Sequence, residues 1–520
     1  MSWRETTASG HTPRGNRKVA VIDLGSNSWR LVVYTYSPGA WWKRTDELYE
    51  TVRIGAGLAA TGRLGLEAME RGLETLAVFD RFCRANGLAP SEVHVTATSA
   101  IRDAANGAEF LRAAEETMAP TIEVLSAEDE ARYGYIAAVN TTTITDGVVL
   151  DLGGGSLQLI RVEGRQATEL TSFPLGAVRM TERFLGDGGP AKRKDIRRVR
   201  DHVRESLGTL DWLGQSGPRL VGLGGAVRNL AAAAGRLAGQ VDLGVQGFVL
   251  SADMLDDLVQ RLAALPAAER GLSGIKPGRA DIILGAALVL QAVLELGGFD
   301  GIEVTEAGLR EGLFLGRTLL DPADPLFPDV REAAVRNLAV QYESDLPHVE
   351  HVALLALQMF DSLVDGGLFE ARPGERELLW AAAMLHDVGM TINYDDHHKH
   401  SRYLILSAEL PGFDPRERGL IAQISRYHRK GTPELGEIAS LAREGDEELL
   451  ERCAVMLRLA EHLERGRDQS VREAHLTANG HGVDLHLRAE GDLTLPRWSV
   501  ERYGDGEVFE RVFGRRLLIG

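Results

Sequence analysis

Two aspartates carry the first chemical signal in this 520-residue chain. Asp23 stands in Val21-Ile22-Asp23-Leu24-Gly25-Ser26-Asn27-Ser28 and Asp151 in Val149-Leu150-Asp151-Leu152-Gly153-Gly154-Gly155-Ser156, with Asp, Leu, Gly and the final Ser at matching places. Each copy follows a β-branched apolar run and precedes an alternating one, Trp29–Tyr34 or Leu157–Val162, so each predicts a strand, a tight turn and a second strand. Small turn residues let backbone amides approach an anion closely, and a carboxylate at the strand end can hold the cation that neutralises it. Two such turns facing each other would grip a phosphate chain from both sides. Neither is a Walker loop, because no Gly-Lys-Ser/Thr follows and the next element is a strand. A lone Asp-x-Gly turn reads as a plain hairpin; repetition points to two related α/β lobes with one site between them.

Further candidates lie between and beyond the turns. Thr96-Ala97-Thr98-Ser99-Ala100-Ile101-Arg102 brings hydroxyls and an arginine to a strand end, suiting phosphate or, equally, a capping Ser beside a surface Arg. Leu125-Ser126-Ala127-Glu128-Asp129-Glu130-Ala131-Arg132 is a second strand-to-helix junction, where a carboxylate can orient a water or simply favour the helix N-terminus. Val221-Gly222-Leu223-Gly224-Gly225-Ala226-Val227-Arg228 is a third glycine cluster, opening a helix. The densest basic run, from Lys192 to Arg204, sets Arg193, Arg197, Arg200 and Arg204 on one helical face, a polyanion track or a solvated surface.

The elements that must position these residues follow from hydrophobic period. From Val19 to about Ala137 strands alternate with helices: a hairpin at the first turn, a helix over Gly65–Asn86, the strand Val93–Thr98 and a helix from about Ala100. The pattern restarts at Gly147 and runs to a Leu309–Leu320 helix. Asp321-Pro-Ala-Asp-Pro-Leu-Phe-Pro marks a boundary. Helical spacing then dominates in Val349–Leu363, Glu377–Leu385, Ser401–Leu410, Glu417–Tyr427 and Leu449–Leu463, and the tail from about Leu476 predicts strands. The expected divisions are a disordered leader at 1–17, lobes at 18–137 and 138–320, and a helical domain at 321–520 with a β-rich tail.

Apolar residues at 44% and charged ones at 26% suit a globular protein with sizeable cores. Seventy-five carboxylates against 58 Lys and Arg argue against general nucleic-acid affinity. With no apolar leader segment or membrane-length span, a cytoplasmic protein without a membrane partner is expected. Cys83 and Cys453 lie far apart in helical segments, which excludes a disulfide framework or zinc-finger pattern.

Taken in order over about Val19 to Leu320, these motifs resemble the exopolyphosphatase/guanosine pentaphosphate phosphohydrolase (Ppx/GppA) family, a branch of the sugar kinase, Hsp70 and actin superfamily. The resemblance implies an α/β fold of two RNase H-like lobes. It implies phosphate binding by Gly25, Ser26, Asn27, Ser28, Gly153, Gly154, Gly155, Ser156, Gly224 and Gly225, and Mg2+ held by Asp23 and Asp151. It also implies Glu130 as the base, with Arg102 steadying the equatorial oxygens of the phosphoryl group. Gly308-Leu309-Arg310-Glu311-Gly312 matches the family's closing signature. Trp29-Arg30 stands where the family usually has an aromatic followed by His, and Asp129 where it usually has Glu. The expected activity is removal of terminal phosphate from inorganic polyphosphate, with guanosine pentaphosphate (pppGpp) hydrolysis as the alternative and a nucleotide-gated regulatory module as the remaining one. A homodimer is expected.

The C-terminal half resembles the HD phosphohydrolase fold. His386-Asp387-Val388-Gly389 follows an apolar helix, with His348 and His351 upstream and His397, His398, His400 and His428 downstream. That resemblance implies a metal set of a first His, the His-Asp pair and a distant Asp. His351, His386 and Asp387 are expected to fill it, but Glu461 takes the last place. The longer side chain points to a degenerate site in a structural or substrate-guiding domain.

Overall fold

A computed structural model describes residues 15–186, 188–503 and 506–519. Two compact units divide the chain, one ending at Val330 and one beginning at Arg331. Most of the expected leader lies outside the described residues, and Arg17 already opens β1.

The first unit holds two mixed sheets built on one plan. In the first, β1 (Arg17–Leu24), β2 (Trp29–Ser37) and β3 (Trp41–Glu50) form an antiparallel meander. Strands β4 (Val93–Ala97) and β5 (Ile122–Val124) extend it in parallel, giving the order β3-β2-β1-β4-β5. In the second, β6 (Gly147–Leu152), β7 (Leu157–Glu163) and β8 (Gln166–Phe173) repeat the meander, and β9 (Leu220–Leu223) pairs in parallel with β6. Strands β10 (Val249–Ser251) and β11 (Gly301–Val304) complete the order β10-β11-β9-β6-β7-β8.

Strands β1 and β6 contain unbroken apolar runs, Val19–Ile22 and Val148–Leu150, that are buried throughout, as befits central strands covered on both faces. Their hairpins share one register: Asp23 faces Arg30 and Leu24 faces Trp29, while Asp151 faces Gln158 and Leu152 faces Leu157. The duplicated motif therefore sits at the same place in each sheet, the C-terminal end of a central strand, where open α/β sheets bind ligands.

Each lobe buries its own core. One gathers Ile22, Trp29, Leu76, Phe79 and Phe110; the other surrounds the Ile283–Gly297 helix, whose residues Ile283–Leu294 are buried on every side. The first long helix runs Leu66–Ala85. The chain passes to the second lobe through the Ala127–Val139 helix, so a boundary at 137 falls inside that helix. The helix expected over Leu309–Leu320 is α-helical only over Leu309–Phe314 and widens to a π turn over Leu315–Leu319.

The second unit is mainly helical: Val330–Gln341, Leu346–Asp365, Glu375–Leu385, His397–Ser407, Pro415–Arg426 and Asp446–Leu463. The tail holds both strands and helices. Strands β12 (Val471–Ala478) and β13 (Val483–Ala489) pair, but helices Thr494–Tyr503 and Gly506–Phe513 precede β14 (Leu517–Ile519). Pro496, Ser499 and Val500 are buried at helical spacing, which outweighs the local alternation. Among the described residues no helix is long and apolar enough to cross a membrane, and Cys83 and Cys453 are free and buried.

Candidate active site

The two turns open onto one cavity of about 120 Å³ within the first unit, several times the space a single water needs. Gly25, Ser26, Asn27 and Ser28 line it from the first lobe and Gly153, Gly154 and Ser156 from the second, joined by Gly224 and Gly225. Gly155 instead lines a small adjoining pocket with Ser26 and Arg179. A Cβ there would stand 2.5 Å from Ser99 Oγ and 3.0 Å from Ser26 Oγ, so any larger residue must displace those hydroxyls. Gly224 adopts φ of +103° against the Leu152 carbonyl, which brings the third turn beside Asp151.

The Ala127–Val139 helix separates three consecutive carboxylates by role. Glu128 is exposed, Asp129 joins the N-cap by donating its N–H to Ser126 Oγ at 3.0 Å, and Glu130 is turned into the cavity at 8% exposure. Successive helical residues are rotated about 100° apart, so only one of the three can face the cleft. Ser156 Oγ donates to Glu130 Oε1 at 3.4 Å. Burial pushes the Glu130 carboxyl up to about 7, with Arg102 pulling against that shift and Asp151 and Asp23 adding to it.

Arg102 pairs with Glu130. It is not among the residues lining the cavity; its guanidinium donates to Glu130 Oε2 at 3.1 Å and to the Leu125 carbonyl at 2.9 Å. It thus orients the carboxylate that faces the cavity. Asp103 extends the contact, lying 3.4 Å from Arg102 and 3.4 Å from Arg179, which donates to the Gly155 carbonyl at 3.1 Å.

Four arginines line the cavity, and sequence reading assigned a task to none of them: Arg30, Arg228, Arg279 and Arg310. Arg30 pairs with Glu47 at 3.0 Å, and Arg228 donates to the Glu306 and Ala307 carbonyls. Arg310 lies 3.4 Å from Asp23 Oδ2, beside Glu311, which takes hydrogen bonds from Tyr34 and the Gly308 amide. Burial first, then the neighbouring Arg310, lowers the pKa of both Arg30 and Arg228. Such a set of buried cations is relieved by an anion. Arg228 and Arg310 lie within the third glycine cluster and the closing signature, and Arg30 stands at a departure from the family pattern. Arg279 enters from the Pro277–Arg279 turn, with no local pattern to mark it.

Three buried polar atoms in this site lack a hydrogen-bond partner among the described residues: Arg310 Nε and Asn27 Nδ2, both donors, and Asp23 Oδ1, an acceptor. The donors suit an anion and the acceptor a cation. Asp151 completes a two-carboxylate oxygen set of the kind a hard divalent cation takes, and burial raises it to about 6.

The basic helical face is partly committed elsewhere. Arg200 donates to Gln291 Oε1 at 2.8 Å and Arg204 pairs with Glu295, whereas Arg193 and Arg197 are exposed. In the second unit, His386 gathers with His348 and Glu461, and Asp387 with His397 and His428. His351 contacts the Val471 carbonyl at 2.7 Å instead.

Fold and site together define a phosphate-handling enzyme of the two-lobed fold shared by sugar kinases, Hsp70 and actin. The chain belongs to the Ppx/GppA phosphatase family, whose sequence profile matches residues 33–320, with that of the family's domain III matching 330–495; it is a phosphohydrolase. An exopolyphosphatase from Cytophaga hutchinsonii superposes with a TM-score of 0.53 at 23% identity, covering 58% of this chain and 97% of that one. An exopolyphosphatase-like protein superposes at 0.52 with 27% identity over the same shares. The Aquifex aeolicus family member gives 0.49 at 28% identity, again over 58% and 97%.

Proposed function

We propose that this enzyme is an exopolyphosphatase, removing the terminal phosphate of inorganic polyphosphate. One observation carries the reading: orphaned donors on Arg310 and Asn27 and an orphaned acceptor on Asp23 share one arginine-lined cavity between two glycine turns. The turns and arginines hold the terminal phosphoryl group and its neighbours in the chain. Asp23 and Asp151 would hold magnesium, which when bound offsets phosphate charge. Glu130, oriented by Arg102 and Ser156, takes a proton from the attacking water. The water oxygen bonds to phosphorus, the bridging P–O bond breaks, and the shortened chain leaves with that electron pair. Positioning and electrostatics account for most of such catalysis.

The same reading takes the enzyme as a cytoplasmic homodimer without nucleic-acid partners, in keeping with its acidic balance. The deciding experiment compares phosphate release from long-chain polyphosphate, pppGpp and ATP, with magnesium, side by side. Preference for the polymer is expected; preference for pppGpp would make this a guanosine pentaphosphate phosphohydrolase. Neutralising Arg193, Arg197, Arg200 and Arg204 should weaken long polyphosphate selectively, and less so at high salt. Equal losses on both substrates would remove the track from the reading.

A further inference from the structure

The catalytic cavity has a small neighbour behind the glycine cradle. Ala59, Val178 and Glu182 line it beside Gly155 and Arg179, and Ser26 and Gly154 line both spaces. Its volume of about 20 Å³ has room for about one water. Arg30, Arg228, Arg279 and Arg310 line the larger space and not the smaller.

The wall between the two spaces is one layer thick. Ser26 Oγ and Ser99 Oγ share a hydrogen bond of 3.1 Å there, and Gly155 lies against both hydroxyls without a Cβ. Ser99 opens the Ser99–Asp103 helix, whose Arg102 holds Glu130 and whose Asp103 stands 3.4 Å from Arg179. One short helix therefore joins the wall, the partner of Glu130 and the pocket. Two contacts between the lobes narrow the pocket: Asp103 with Arg179, and the Gly57 N–H donating to Glu182 Oε1 at 3.1 Å. The wall too draws its serines from the first lobe and Gly155 from the second, so a small parting of the lobes opens wall and pocket together.

In the exopolyphosphatase reading, on which this inference rests, hydrolysis leaves two products. Orthophosphate carries the water's oxygen, and the shortened chain carries the bridging oxygen. Attack runs in line, with water on one side of phosphorus and the leaving chain on the other. Orthophosphate therefore forms on the Glu130 side, with the chain between it and the chain's own way out. To leave by that way it must wait for the chain or pass it in a cavity of about 120 Å³. On the other side only two hydroxyls and a glycine intervene.

We propose that the small pocket is the exit for orthophosphate, which leaves behind the cradle while the shortened chain stays on the arginines. Arg179 receives it. Its Nε donates to the Gly155 carbonyl and its Nη2 to Asp103, leaving Nη1 with no hydrogen-bond partner among the described residues. Beyond it the Ala59 and Val178 side chains offer an anion no hydrogen bond and the Glu182 carboxylate repels it, which suits transit over storage.

The test separates formation of phosphate from its release by the full-length protein, given long-chain polyphosphate and magnesium. Acid quenching counts all phosphate formed, and a fluorescent phosphate sensor counts only what has left. Val178→Phe fills the pocket from a residue that does not line the cavity. It is expected to form about one phosphate per site at the wild-type rate and then to turn over about tenfold more slowly, the sensor lagging behind the quench. Turnover at the wild-type level overturns the proposal, as does slowing without a burst, which would put the damage in the chemistry. Ala59→Trp, filling the pocket from the first lobe, should act alike, and it decides if Val178→Phe does not fold. A wild-type protein that forms no phosphate from polyphosphate overturns the substrate reading instead, and the same pair of assays on pppGpp then decides the exit.

Discussion

The two halves of the cleft repeat a backbone and differ in chemistry. Both turns leave a central strand in the same register, yet the first carries Ser26, Asn27 and Ser28 and is followed by Arg30. The second carries Gly154 and Gly155 and is followed by Gln158. The first turn can therefore grip with side chains and the second chiefly with amides. Their aspartates diverge too: Arg310 answers Asp23, whereas no side chain among the described residues hydrogen-bonds Asp151, and burial takes it to about 6. Duplication supplied two matched positions, and divergence made one half a polar grip and the other a bare cradle beside the less compensated carboxylate.

Glu130 belongs to neither turn, and its loss should cost most. Glu130→Gln is expected to keep fold and substrate affinity while lowering turnover by a factor on the order of hundreds or more. Steady-state phosphate release reads this, and near-normal turnover would move the base elsewhere.

The unequal aspartates come next. Asp151→Asn should raise the magnesium concentration for half-activation by about tenfold or more, and Asp23→Asn by less, because Arg310 already shares the Asp23 charge. Equal shifts would dissolve the distinction between the halves.

The bare cradle makes a steric prediction. Gly155→Ala forces a Cβ against Ser99 and Ser26, whereas at Gly153 the nearest atom would be 3.5 Å away, an ordinary contact. We expect Gly155→Ala to lower kcat/KM by about tenfold and Gly153→Ala to stay within about twofold. The reverse order would show that the second turn does not approach the first as closely as it stands here.

The smallest effect is a displacement of pH dependence. A base works deprotonated, so kcat/KM should fall as pH drops through the Glu130 value of about 7. Arg102 lowers that value, so Arg102→Ala should move the acid limb to higher pH, by about one unit. Added magnesium, placing positive charge near Asp23 and Asp151, should move it the other way. An Arg102→Ala variant with a raised KM and an unmoved limb would return Arg102 to direct phosphate contact.

Chain order alone determined the elements whose causes are local. The β-branched runs of β1 and β6, the small-residue turns after Asp23 and Asp151, and the apolar stripe of Leu66–Ala85 follow from backbone sterics and hydrophobic period within short stretches. Their repetition was enough to place two lobes around one site. Tertiary structure decided what depends on meeting across the chain. It buried Glu130 alone of three adjacent carboxylates, the one the family resemblance selects, turned Arg102 onto it, and assembled Arg30, Arg228, Arg279 and Arg310 from elements that share no spacing. It chose His348 over His351, one helical turn away, because only His348 Nε2 lies beside Glu461. Period and turn chemistry act between near neighbours; burial, charge and coordination act between whatever side chains the packed elements bring within a few ångströms, and no stretch of sequence contains that distance.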